Sequence, residues 1–201
     1  MRYNRYVGSE KAPSRIIGEL VKNTTTIGNE FWKALCYDEV DCLSKENVSI
    51  KDRRKFIYKR GTNNNFNGYK IFNFPLLTDS FVDGEIENLI QLRIYQRNIL
   101  PVDTTKAVVS YRFDVYTSSK LASLIDKDGD LVERTEFLIT RLLDMLVGMD
   151  IGLGFDIIQF NRDLERTCRA EEIINNGKLF FARSVTIAMI YQNLIGDKLC
   201  E

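Results

Sequence analysis

The chain has 201 residues, 44% of them hydrophobic and 28% charged, which suits one compact globular domain and not a disordered protein. Its 28 basic and 28 acidic residues give a net charge of zero, which argues against a dedicated nucleic-acid binder. The chain has no histidine, which excludes every mechanism that needs a histidine base or metal ligand.

The cysteines and the apolar runs indicate the environment of the protein. Cys36, Cys42, Cys168 and Cys200 lack CxxC spacing, so we expect reduced thiols and no structural zinc. The first residues lack the apolar stretch of a signal peptide, and no run approaches the ~20 apolar residues of a membrane span. We therefore expect a soluble protein, made in a cytoplasm, with no membrane partner.

Residues 1–60 predict a polar arm followed by a helical segment. The arm covers residues 1–13, and Ser14 is placed to cap the first helix. Thr26 is placed to cap a second helix, which carries Trp32. Ser49 is placed to cap a third, short helix, IKDRRKFIY, in which we expect three solvated basic side chains: Arg53, Arg54 and Lys55.

Residues 61–87 predict a hairpin or an extended loop region. The sequence GTNNNFNG at 61–68 is typical of a turn or exposed loop, because Asn and Gly tolerate positive φ at little cost. The flanking stretches KFIYKR and YKIFNF have the composition of short extended segments. A protruding hairpin and an irregular loop are both compatible with this pattern.

Residues 88–201 predict an antiparallel sheet with a packed helix. The strands are expected at 88–97, 107–116, 155–160 and 178–192, and the helix at 131–149. In the second strand Val109, Tyr111, Phe113 and Val115 alternate with the polar Ser110, Arg112 and Asp114, which predicts one packed and one exposed face. The fold class is therefore α+β: a mostly antiparallel sheet with a β-β-α-β-β core, packed by helices, in one compact domain.

The predicted helix has one apolar and one charged face. Its apolar stripe comprises Val132, Thr135, Leu138, Ile139, Leu142, Met145, Leu146 and Met149. Its charged face comprises Glu133, Arg134, Arg141 and Asp144. Gly152 and Gly154 follow this helix and precede a strand, which is the reverse of a phosphate loop, so we interpret them as a helix stop and tight turn.

The sequence DKDGDLVERTEF at 126–137 resembles a calcium loop at first sight. Asp126, Asp128 and Asp130 match its first three ligand positions, but Leu131 and Phe137 stand where the loop needs Gly and a bidentate Glu. We interpret the segment as a helix start, with Asp130 as N-cap and Glu133 completing a capping box. A weak cation site is the alternative.

Other polar clusters have two readings each. Three groups of carboxylates suit either solvated loops or ligands of two metal ions. They are Asp38, Glu39 and Asp41; Asp79, Asp83, Glu85 and Glu87; and Glu171 and Glu172. The basic and aromatic residues Lys55, Lys59, Arg60, Phe56 and Tyr58 suit a solvated face, or a nucleic-acid surface. The connection 161–177 alternates in charge, which suits subunit contacts or a solvated helix. We assign no residue as catalytic, cofactor-binding or metal-binding.

The order of elements resembles neck and tail-terminator subunits of tailed bacteriophages. The resemblance lies in residues 37–58, in residues 108–116 and in the stretch ERTEFLITRLLDMLVGMDIGLGFDIIQF. It implies a virion protein without enzyme activity or cofactor, which forms a homo-oligomeric ring between portal and tail. It also implies contacts with other neck, portal or tail proteins around a channel through which DNA passes without sequence-specific binding.

Two other classes of function are open at this stage. A small hydrolase or nuclease dependent on carboxylate-bound metal would need acidic residues from separate elements to converge in one cleft. A cytoplasmic protein-binding module would use the 61–68 loop to hold its partner.

Overall fold

The computed structural model of the protein describes residues 9–59, 66, 68–75, 89–103, 106–158, 170–172 and 180–192. It contains the helices α1 (Ala12–Lys22), α2 (Thr26–Cys36), α3 (Ile50–Arg53) and α4 (Arg134–Leu146). Its strands are β1 (Ile71–Phe72), β2 (Ile90–Pro101), β3 (Lys106–Ser118), β4 (Ser123–Ile125), β5 (Leu131–Glu133), β6 (Ala170–Glu172) and β7 (Phe180–Gln192). The α+β class and the N-terminal helical segment are confirmed.

The main sheet has the strand order β1-β2-β3-β7-β6, and β4 and β5 form a separate hairpin. β1 pairs with β2 in parallel, and the other neighbours in the main sheet pair antiparallel. Ile57 also bridges Ile71 in parallel, so the two short extended segments run alongside each other in the same direction. The tip of the 61–68 loop, apart from Phe66 and Gly68, lies outside the described residues.

One face of the sheet forms the core with α1, α2 and α4. It contributes alternating residues of the long strands, such as Leu92, Val109 and Ile187, each at most 2% exposed. The Trp32 indole N–H of α2 donates to the Leu20 carbonyl of α1 at 2.9 Å, which fixes these two helices against each other. No helix of the described residues is long and apolar enough to cross a membrane.

The helix starts partly follow the predicted caps. Ser49 is confirmed as the cap of α3, because its hydroxyl accepts a bond from the Asp52 N–H at 3.2 Å. The second cap is Thr25 and not Thr26, since the Thr25 hydroxyl accepts from the N–H of Gly28. The Ser14 prediction is wrong: α1 begins at Ala12, before a proline that suits the first helical turn because it needs no N–H there.

The strand predicted at 155–160 is also wrong. Phe155 makes a single bridge to Tyr191, and residues 156–158 form no strand, because the preceding Gly152, Leu153 and Gly154 all have positive φ and turn the chain across β7. Residues 159–160 lie outside the described part. The glycines thus form the predicted turn, although α4 has already ended at Leu146.

The second face of the sheet is not the exposed face that alternation predicted. Gln91, Arg93, Asp114 and Ser184 are all at most 6% exposed. The Arg93 guanidinium lies 4.3 Å from the centroid of the Phe72 ring, which covers it. Gln91, Arg93 and Asp114 can be buried here because they take part in side-chain hydrogen bonds and Arg93 stacks on aromatic rings, a compensation that single-strand alternation does not reveal.

Candidate functional site

Asp126, Asp128 and Asp130 lie in the turn of the β4–β5 hairpin. A side-chain oxygen of Asp126 accepts the backbone N–H groups of Asp128 and Asp130, each at 2.9 Å. The predicted capping box is therefore wrong: α4 begins at Arg134, and its N-cap residue, Glu133, makes no side-chain cap bond. Strand pairing with β4 takes up residues 131–133, so the helix starts after them.

The candidate metal ligands are engaged in other contacts. Within the described residues, no group of three or more Asp, Glu or Cys side chains is placed to hold a metal ion. Asp38 lies 3.3 Å from the Lys70 ammonium, and Asp41 lies 3.7 Å from that of Lys45. The candidates at 79–87, and the side chains at 171–172, lie outside the described part of the structure.

The described residues of the predicted basic-aromatic cluster do not form one surface, and Arg60 lies outside the described part of the chain. Tyr58 is 9% exposed, and its ring packs against those of Phe66, Phe72 and Phe74 at centroid distances of 5.2–5.5 Å. Lys55 pairs with Asp52 at 2.7 Å. The Tyr58 ring therefore packs inside the protein and is not presented to a nucleic acid.

Two arginines expected in solvent are buried and bind backbone carbonyl groups. Arg53 is 1% exposed and donates to the carbonyls of Val21 and Val48, at 3.1 and 2.9 Å. Arg134 is fully buried and donates to carbonyls at the end of α2, including that of Ala34 at 3.1 Å. A cation suits these positions because helix C-termini carry unpaired carbonyls and partial negative charge.

The polar face of the sheet is centred on Asp114. Asp114 stands directly opposite Arg93 on β2 and Ser184 on β7. Its carboxylate accepts bonds from the Tyr95 hydroxyl and the Arg112 Nε, both at 2.7 Å. The network therefore links β2 and β3 on the side away from the helices.

Tyr95, Tyr116 and Arg93 of this network each keep one ionisation state near neutral pH. Burial, followed by the nearby Asp114 carboxylate, raises the pKa of the Tyr95 and Tyr116 hydroxyls far above their usual value. Burial lowers the pKa of Arg93 to about 10, which still leaves it charged at neutral pH. Such groups suit hydrogen bonding, since proton transfer near pH 7 needs a group whose pKa lies near 7.

An exposed apolar patch lies on the face of the sheet away from the helices, next to the turn that joins β2 and β3. Leu100 pairs with Val108, and Val108 pairs with Ile190, so the three side chains form one row across three strands. Leu100 is 55% exposed, Ile190 42%, and Val102, which follows on the turn, 64%. We call Leu100, Val102, Val108 and Ile190 the hairpin-end patch.

The edge of β2 beside this patch is unsuited to pairing with another strand. Among the described residues, β1 pairs only with Leu92 and Arg93, so the following part of β2 has a partner on one side only. A bulge interrupts its register between Gln96 and Asn98, and Pro101 ends it. Bulges and prolines are features that prevent edge-to-edge association.

A cleft of about 440 Å³ opens between α2, residues 41–47 and the β4–β5 turn. Its lining includes the apolar Leu43 and Ile125, and its rim carries the exposed Val40 and Leu131, at 45% and 69%. Ile125 pairs with Leu131, and its N–H bonds to the Val40 carbonyl at 2.8 Å, so these apolar residues are neighbours. We call this feature, with its rim, the acidic cleft.

The acidic cleft carries an excess of negative charge. The acidic residues of its lining and rim are Glu30, Glu39, Asp41, Asp126, Asp128 and Asp130, and the basic ones are Lys33, Lys45, Lys127 and Arg141, which pairs with Glu30. Six carboxylates thus stand against four cations.

Most of these features escaped sequence reasoning. The connection 161–177, proposed for subunit contacts, lies outside the described residues except for β6. The β4–β5 hairpin was missed, although Asp128-Gly129 is a recognised hairpin signal. The hairpin-end patch was not predicted from the sequence. The bulge between Gln96 and Asn98 places Leu100 on the face away from the helices, whereas Leu92 of the same strand lies on the core face.

Comparisons of the chain with protein families, with curated proteins and with solved structures gave no match.

Proposed function

We propose that this protein is a structural, self-associating subunit of the head–tail connection of tailed bacteriophages, without catalytic activity. Copies of the chain form a homo-oligomeric ring in the virion, joined to other neck, portal or tail proteins around the DNA channel. The observation that carries the self-association is the hairpin-end patch. The phage assignment rests on the order of elements in the sequence.

The hairpin-end patch is more than scattered surface apolarity. Single exposed apolar side chains are normal on protein surfaces, whereas contiguous apolar patches mark association surfaces. Leu100, Val108 and Ile190 are contiguous across three strands, and Val102 extends the row. Three of its four residues also sit on long paired strands, which hold them in a fixed geometry.

The charge distribution suits a channel subunit. A net charge of zero supports passage of DNA without tight binding, since affinity for DNA grows with the number of phosphates neutralised. The polar face supports a structural role as well, because Tyr95, Tyr116 and Arg93 keep one ionisation state near neutral pH.

The proposal is tested by measuring the molecular mass in solution, with negative-stain microscopy, for the natural chain and two variants. Leu100→Glu places a charge in the hairpin-end patch. Val147→Glu is the matched control, because Val147 is 53% exposed, follows α4 and is not one of the patch residues. We expect rings for the natural chain and for Val147→Glu, and smaller species for Leu100→Glu.

Two results would refute the proposal. A natural chain that stays monomeric at high concentration, and forms no ring with neighbouring neck proteins, would remove the self-association. A gene surrounded by metabolic genes, and not by portal, capsid and tail genes, would remove the phage assignment.

A further inference from the structure

We infer that the acidic cleft binds residues 1–8, MRYNRYVG, of a neighbouring copy of this chain. We call these residues segment 1–8. The inference rests on the proposed self-association and names a second contact between copies, besides the hairpin-end patch. The occupant of the cleft is a short stretch of chain that carries cations and tyrosine rings.

The negative charge of the acidic cleft is concentrated on the β4–β5 turn. Asp128 and Asp130 are exposed, and among the described residues neither forms an ion pair. The cation of the turn is Lys127. Asp126 is also acidic, but its side chain already accepts two backbone N–H groups. The turn therefore presents two carboxylates that can bind cations of a partner.

The other cations around the cleft are engaged in contacts of their own. The Lys33 ammonium donates to a backbone carbonyl at 3.0 Å, and Lys45 and Arg141 lie within 3.8 Å of cleft carboxylates. Arg53 and Arg134 lie nearby but are at most 1% exposed, and they donate to carbonyls at the ends of α1 and α2. The partial negative charge of these helix ends offsets the buried cations, so the turn keeps its excess of negative charge.

The composition of segment 1–8 is complementary to this turn. It has two cations, Arg2 and Arg5, two aromatic residues, Tyr3 and Tyr6, and no carboxylate. Among the segments of the chain that lie outside the described residues, no other has two cations without a carboxylate. Charge complementarity therefore selects segment 1–8 as the part of this chain that the cleft binds.

The apolar residues of the cleft suit the tyrosine rings. Leu43 and Ile125 line the cleft, and Val40 and Leu131 stand exposed on its rim. A tyrosine ring that packs against such side chains removes apolar surface from water and can keep its hydroxyl in solvent. Burial of apolar surface thus adds to the attraction between opposite charges.

The segment and the cleft are different surfaces of one copy. Segment 1–8 precedes Ser9, which is 2% exposed and whose carbonyl accepts the Tyr111 hydroxyl at 2.8 Å. Tyr111 lies in the middle of β3, whereas the β4–β5 turn follows the Ser118 end of that strand. A contact between different surfaces leaves a free surface at each end of a growing oligomer, and it closes into a ring when the rotation allows.

The test is a charge swap in the full chain. One variant carries Arg2→Glu and Arg5→Glu, a second carries Asp128→Lys and Asp130→Lys, and a third carries all four changes. The two aspartates are exposed, and the third variant has the net charge of the natural chain. Circular dichroism and thermal unfolding verify that each variant is folded.

A matched control separates the contact from the effect of net charge. Lys51→Glu with Arg54→Glu reverses two exposed cations of α3 that do not line the cleft, and it changes the net charge as much as the reversal of segment 1–8 does. A further variant combines this α3 reversal with the turn reversal. It has the net charge of the four-change variant but keeps the natural segment 1–8.

Sedimentation velocity gives the apparent dissociation constant of each protein. We expect either reversal, of the segment or of the turn, to raise this constant at least about tenfold, because two attractions become repulsions. We expect the four-change variant to return to within about threefold of the natural chain, because the opposite charges face each other again. The α3 reversal should leave the constant unchanged, and its combination with the turn reversal should not restore association.

The remaining outcomes separate this inference from the proposed function. If the natural chain forms rings but the segment reversal or the turn reversal leaves them intact, the inference fails and the proposed function stands. The same holds if the four-change variant does not recover, or if the combination with the α3 reversal recovers equally well. A natural chain that stays monomeric refutes the proposed function, and the inference with it.

Discussion

Replacing Arg134 by methionine is expected to cause a large loss of stability. The Arg134 side chain is fully buried, and its guanidinium is the shared donor for five backbone carbonyl groups. These are the carbonyls of Ala34, Tyr37, Asp38, Glu39 and Ser123. Methionine fills much of the volume and donates no hydrogen bond, so all five carbonyls lose this partner.

The expected loss is about 3–5 kcal/mol in the free energy of unfolding. Hydrogen bonds to a charged group are worth about 1.5–3 kcal/mol each, but the variant also no longer has to bury a cation. Only the bonds to Ala34, Tyr37 and Glu39 are 3.1 Å or shorter, so these three dominate. In a chain of this size, such a loss lowers the melting temperature by roughly 6–20 °C.

The assay is urea unfolding followed by circular dichroism, with Arg54→Met as the matched control. Arg54 is exposed and follows α3, so its replacement should change stability by no more than about 0.5 kcal/mol. Arg134→Lys should fall in between, since one ammonium cannot reach all five carbonyls. A loss below about 1 kcal/mol for Arg134→Met would refute the claim that this side chain holds the end of α2 to the β4 strand.

Three further predictions concern thiol reactivity, alkaline pH and glycine. Burial, partly offset by nearby cations, raises the pKa of the Cys36 thiol to about 12. Alkylation of Cys36 at pH 8.5, measured by peptide mapping, should therefore be about a thousandfold slower than that of a free thiol. Labelling at the rate of a free thiol would contradict this. Burial also raises the pKa of Tyr111, so the folded state keeps this proton while the unfolded state releases it above about pH 10. Stability should therefore fall above that pH, and Tyr111→Phe should lessen the fall in urea unfolding; an equal slope in both proteins would disprove the assignment. Gly18→Ala, with free space around the added Cβ in α1, should raise stability by about 0.5–1 kcal/mol. Gly154→Ala should lower stability, because φ is +81° and the added Cβ would collide with the Gln192 carbonyl. Equal effects of Gly18→Ala and Gly154→Ala on the melting temperature would be inconsistent with this.

The sequence revealed the features that depend on neighbours along the chain. The alternation in residues 88–97 and 107–116 predicted β2 and β3, because side chains of a strand point to opposite faces in turn. The strand predicted at 178–192 is observed as β7. The helical period likewise predicted α2 and the buried stripe of α4 from Thr135 to Leu146. The Ser49 cap was found for the same reason, since its partner lies three residues away.

The sequence misplaced the features in which two local signals compete. Asp130 and Glu133 match a capping box, and Asp128-Gly129 matches a hairpin turn. The hairpin prevails because β5 can pair with β4 and thereby satisfies more backbone groups than one side-chain cap would.

The sequence by itself thus determined the class of the fold, its long strands and its main helices. Only the tertiary structure decided which polar residues are buried and which apolar residues are exposed. Arg134 is buried because carbonyls about 100 positions earlier in the chain come to meet it, and Leu100 is exposed because the helices cover only the other face of its strand. Periodicity along the chain carries no information on such distant partners, and it is these partners that create the proposed contact surfaces.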